Sequence, residues 1–125
     1  METAMEAAME SLEKMMAIWN TTDAAEIERL TSEAMEHNVH FADPNHNIIG
    51  RKAFIDMVHQ VQKQIPGAVY GRNSEVDMQN NFCRYHWKID MGDKRLMDGF
   101  DMTEVNDAGK IVKVIGFFQR LEAAD

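Results

Sequence analysis

Gly99-Phe100-Asp101-Met102-Thr103-Glu104-Val105-Asn106-Asp107-Ala108-Gly109-Lys110-Ile111-Val112-Lys113-Val114-Ile115-Gly116-Phe117-Phe118 holds two alternating segments around a turn-forming tetrad. Asn, Asp and Gly between alternating apolar runs favour a tight reversal, so the stretch predicts an antiparallel hairpin. Asp101 stands in mid-strand, where acidic residues are depleted. Two readings follow: a carboxyl group set in an apolar wall, or an outward residue paired across strands with Lys or Arg. If Asp101 faces inward, Met97 and Gly99 share its side, and Asp98, Phe100 and Met102 take the other. Ile115 and Phe117 then join that outer face.

Upstream, Ala68–Met78, Phe82–Asp90 and Arg95–Val105 also alternate, and Lys110–Arg120 closes the series as a meander. The first part of the chain is helical. Met5, Met9, Leu12, Met16 and Trp19 recur at helical spacing over 4–20. Thr22 or Asp23 is placed to cap a second helix over 24–36, seated through Ile27, Leu30 and Met35. A third helix over 51–64 runs through Phe54, Met57, Val58 and Val61. Between them, His37–Ala42 alternates as a short strand, with Asp43 in phase with Val39 and Phe41. Pro44 removes a backbone donor and ends that strand. Residues 45–50 read as a loop and 122–125 as a frayed tail. The pattern is α+β, one domain over 1–125.

Composition narrows the function. The 125 residues are 45% hydrophobic and carry a net charge of −8, which disfavours a phosphate-backbone partner, so no nucleic acid is expected. No apolar run approaches the roughly 20 residues of a membrane span. Glu2, Glu6 and Glu10 give the start of the chain no basic signal-like character, and a reduced cytoplasmic setting is expected. The single cysteine, Cys83, excludes an internal disulfide. His37, His40, His46 and His59 lack the spacing of a metal set, so no metal and no cofactor is expected. The methionines on the first helix suit either a core seam or a deformable wall facing an apolar ligand.

Two carboxyl groups in apolar sequence, Asp43 and Asp101, can divide proton-transfer work. One stays ionised as a base while a desolvated one stays neutral and donates. Asp43 before Pro44 equally suits a turn cap. His86 is a third candidate. Alternation puts Tyr85, Trp87 and Ile89 inward and leaves His86 on the other face with Arg84 and Lys88.

The order helix, helix, short strand ending in Asp43-Pro44, helix, then long antiparallel strands resembles the nuclear transport factor 2-like superfamily. The ketosteroid isomerase and polyketide cyclase branch is the nearest likeness. Trp19-Asn20 with Asp23, Val39-His40-Phe41-Ala42-Asp43-Pro44, Gly50 before the third helix, and Gly99-Phe100-Asp101 with Asn106–Lys110 carry it. The resemblance implies a cone-shaped α+β barrel: three N-terminal helices packed on a strongly curved antiparallel sheet that encloses a pocket. It implies Asp43 as general base and Asp101 as the acid facing a developing oxyanion. Matching hairpin length to the isomerases turns His86 toward the cavity, against the alternation. Met15 falls where those isomerases carry a tyrosine. The epoxide hydrolases of the superfamily place an acidic residue where this chain has Gly116-Phe117-Phe118, which argues against that activity.

The expected function is therefore isomerisation or aldol-type cyclisation of a small hydrophobic ketone. Asp43, Asp101 and His86 are the candidate catalytic residues; Met15, Trp19, Phe41, Met97, Val114 and Phe118 are the candidate substrate-binding ones. A non-catalytic binding protein with the same pocket is the competing reading. A homodimer through the outer face of Phe100, Met102, Ile115 and Phe117 is compatible with either.

Overall fold

The computed structural model describes residues 2–119 and 121–124. Three helices, α1 (Ala4–Trp19), α2 (Ala24–Ala34) and α3 (Arg51–Gln64), pack on one sheet of seven strands. These are β1 (Met35–Asp43), β2 (His46–Ile49), β3 (Val69–Arg72), β4 (Asp77–Gln79), β5 (Phe82–Met91), β6 (Lys94–Val105) and β7 (Ile111–Phe118).

Helix starts follow local chemistry. Thr3 and Glu6 form a reciprocal capping box on α1, and Asp23 caps α2 by accepting from the Glu26 N–H. The buried face of α1 is Ala8, Leu12, Met15 and Ile18, with Met5 out in solvent. Met16 and Trp19 lie beside that seam and look into a pocket. Ile27, Leu30 and Thr31 seat α2, while Phe54, Met57 and Val58 seat α3.

The sheet order is β2-β1-β7-β6-β5-β3, with β4 also on β5. It differs from the expected sheet in two respects. The β1–β7 pair is parallel, so the sheet is mixed, and β2 and β3 are free edges, so it is open rather than a closed barrel. Three boundaries also move. Met35 already belongs to β1, because α2 stops at Ala34 and the chain turns extended. The loop expected after Pro44 contains β2, which Asp43 and His46 join to β1 through a reversal of only Pro44 and Asn45. The strand expected over Ala68–Met78 is broken into β3 and β4, each pairing with its own part of β5. β7 ends at Phe118; of the expected strand Arg120, and of the expected tail Asp125, lie outside the described residues.

The core lies between helices and sheet, with Phe54, Ile18, Ile27, Met35, Val39 and Ile111 fully buried. Cys83 is a free, buried thiol, and its burial raises its pKa. Among the described residues no helix is long and apolar enough to cross a membrane.

Candidate functional site

One row of residues crosses the sheet. Tyr85 on β5 pairs with Asp101 on β6, Asp101 with Gly116 on β7, and β1 runs beside β7 so that Asp43 flanks Gly116. Asp43 pairs in turn with His46 on β2. A Cβ built on Gly116 would lie 3.1 Å from Asp101 Oδ1 and 3.5 Å from Asp43 Cβ. The two aspartate side chains therefore flank a position with no side chain.

Each has its own partners. Asp101 Oδ2 accepts from the Tyr85 hydroxyl at 3.0 Å, and Oδ1 accepts from Trp87 Nε1 at 2.8 Å. Tyr85 also bonds Thr103 Oγ1 at 3.2 Å, beneath the pocket. Trp87 reaches Asp101 by lying across Gly99, where any added Cβ would sit inside the indole. Asp101 touches solvent only in part and lines the cavity. Burial pushes its pKa up to about 7; the bonds from Tyr85 and Trp87 oppose that shift, and the Asp43 charge adds to it. Tyr85 is raised well above its ordinary value, chiefly by burial and then by the Asp101 charge.

Asp43 ends β1 with its side chain 11% exposed. Its Oδ1 accepts from the Asn45 N–H at 2.8 Å and lies 3.0 Å from His46 Nδ1. The turn-capping reading of Asp43 is thus correct for one oxygen.

The carboxyl groups open on a cavity of about 230 Å³ walled mainly by apolar side chains such as Met15, Met16, Trp19, Phe41, Tyr70 and Phe118, with Asn45, His46, Gln64 and Lys88 also on its lining. Trp19 stacks on Tyr70 at 5.2 Å between ring centroids and meets Phe41 and Phe54 at 6.3 and 5.8 Å. Asn20 fixes this end: its amide donates to Tyr70 O and accepts from Tyr70 N, both at 2.8 Å. The Tyr70 hydroxyl is buried without a hydrogen-bond partner among the described residues.

Of the residues singled out in sequence, Asp43, Asp101, Met15, Trp19, Phe41, Met97 and Phe118 come together at this cavity. Two do not. His86 is exposed on the opposite face of β5, packed edge-on against Phe100 at 5.3 Å; strand alternation, not the hairpin-length match, describes it. Val114 faces the correct side but is fully buried in the core, short of the cavity. Tyr85, Trp87 and His46 went unassigned to the carboxyl groups. Inward parity pointed to the first two, whereas the His46 contact depends on a two-residue reversal read as part of a loop. Among the described residues no cluster of three or more His, Cys, Asp or Glu is arranged to hold a metal.

No family model and no curated protein sequence matches the chain. Solved structures do. A candidate isomerase of the SnoaL-like family from Agrobacterium tumefaciens superposes with a TM-score of 0.84 at 23% identity, covering 91% of this chain and 98% of its own. A SnoaL-like candidate polyketide cyclase from Jannaschia sp. CCS1 gives 0.67 at 10% identity, over 89% and 86% of the two chains. An LEH-like epoxide hydrolase from M. tuberculosis gives 0.65 at 13%, over 90% and 83%. These likenesses, with the helix order and the sheet described above, establish that the chain has the nuclear transport factor 2-like α+β cone fold.

Proposed function

We propose that this protein catalyses proton transfer on a small hydrophobic ketone, by double-bond isomerisation or aldol-type cyclisation. Asp43 removes a proton next to the carbonyl, and Asp101 in its protonated form donates to the oxygen that gains charge. The observation that carries the reading is that two aspartate side chains flank Gly116 and both line one largely apolar cavity. Their surroundings differ: the Asn45 N–H donates to Asp43, whereas burial pushes the Asp101 pKa up to about 7. Ketosteroid isomerase divides the labour between two carboxyl groups in the same way, so the logic is borrowed from that family and only the residues are this chain's own. An apolar cavity of roughly 150 Å³ accepts benzene, so about 230 Å³ suits a molecule of one or two rings. The SnoaL-like isomerase and cyclase neighbours accord with such a role.

Turnover of a panel of enolisable cyclic ketones, followed by conjugation absorbance and deuterium uptake, tests the assignment. Asp43→Asn and Asp101→Asn should each lower it by about 100-fold or more. Unchanged turnover in both variants would overturn it. A pocket that binds without reacting is the second reading, favoured by both Asp101 oxygens already being engaged. Thermal stabilisation by a ketone with no product by mass spectrometry would select it.

A further inference from the structure

The Asp43 carboxylate is gripped by one oxygen only. Oδ1 receives the Asn45 N–H at 2.8 Å and faces His46 Nδ1 at 3.0 Å, while Oδ2 has no hydrogen-bond partner among the described residues. An ionised carboxylate only accepts, so a bond at that distance requires the proton on Nδ1. His46 is the residue directly paired with Asp43 across the β1–β2 reversal. Its side chain is 28% exposed, so it sits on the solvent side of the base, and it lines the cavity.

We propose that His46, as its Nδ1–H tautomer, is a positioning residue that clamps Asp43 through Oδ1 and reserves Oδ2 as the atom that takes the substrate proton. The assignment rests on Asp43 being the base. Two donors on one oxygen remove the freedom of the carboxylate to rotate about its terminal torsion. The unengaged oxygen is then held in one orientation on the side chain that lines the cavity and flanks Gly116 through its Cβ. Asn45 alone would fix a point of contact; the imidazole, arriving from a different strand, fixes the plane. No proton passes through His46 in this scheme.

The tautomer is readable without turnover. Nitrogen-15 NMR at neutral pH should find the His46 ring proton on Nδ1 in the wild-type protein and moved to Nε2 in Asp43→Ala. Kinetics with the β,γ-isomer of cyclohexenone supply the second readout. His46→Ala should lower kcat about ten-fold or more while KM stays within about two-fold, since orientation and not binding is lost. His46→Asn, whose side-chain N–H can occupy the Nδ1 position, should restore kcat to within about three-fold of wild type. An Nε2–H tautomer in the wild-type protein, or wild-type kcat in His46→Ala, overturns the clamp. Wild-type turnover by Asp43→Asn overturns the base assignment itself, and the clamp's catalytic role with it. Loss of activity in Asp43→Asn with none in His46→Ala overturns the clamp alone.

Discussion

Asp101 is subject to opposed forces that a measurement can separate. Burial and Asp43 raise its pKa, while Tyr85 and Trp87 lower it, and the balance is about 7 against an ordinary 3.8. Between those values the folded protein keeps a proton that the unfolded chain releases. Stability therefore falls as pH rises through that window and levels off above it. A pKa difference of about three corresponds to at most roughly 4 kcal/mol. Urea unfolding at pH 5 and pH 8 should show this slope in the wild type and its loss in Asp101→Asn, whose amide still suits Trp87 and Tyr85. Removing either donor, by Tyr85→Phe or Trp87→Phe, should move the carboxyl transition further above 7 in a carbon-13 NMR titration. Gly116→Ala tests the gap. The strand geometry tolerates alanine, but the new methyl would press on Asp101 Oδ1. Ketone turnover should fall about ten-fold or more with little change in Tm. Both aspartates were legible in the sequence because charge amid apolar alternation is conspicuous. Trp87 as a donor was not, because its reach depends on the bare backbone at Gly99, on the neighbouring strand.

At the level of elements, the alternating and helical periods were readable wherever a segment buries a whole face. All three helices and the β5–β6–β7 meander belong to this class. β2 escaped because an edge strand of four residues, His46–Ile49, alternates only between half-buried and exposed positions and buries none of them fully. The β3–β4 break escaped because it depends on β5 being long enough to hold two partners. The parallel β1–β7 pair joins segments far apart in sequence, which no local pattern encodes. The β6–β7 turn illustrates a feature with both local and tertiary causes. Asn106 Oδ1 accepts from the Ala108 and Lys110 N–H groups, and Gly109 takes a φ of 84°. The same glycine lies under α1, where an added Cβ would come within 2.6 Å of Ala7 Cβ. Gly109→Ala combines left-handed strain with this collision, and urea unfolding should register a loss of about 2–4 kcal/mol.

For the whole molecule, the outer sheet face presents Phe100, Met102, Ile115 and Phe117, with Met102 43% and Phe117 51% exposed. Arg84, Lys88 and Lys113 border it together with Asp98 and Glu104, placed there by the strand register. An apolar centre with both signs of charge at its rim offers partners for each sign on an identical surface, so we propose a second copy of this chain as its occupant. Sedimentation at micromolar concentration should give a dimer for the wild type and a monomer for Phe117→Lys; a stable wild-type monomer would contradict the proposal. β7 has a further consequence, one of timing. It comes last in chain order among the seven described strands, yet it lies between β1 and β6 and so separates and joins the two strands bearing Asp43 and Asp101. A nascent chain that has released both aspartates still has no neighbourhood for them until β7 inserts, and such long-range closure is slow. Assembly of the site therefore requires β7. A chain cut at the Asn106–Gly109 turn should recover it when β7 is returned as a separate peptide.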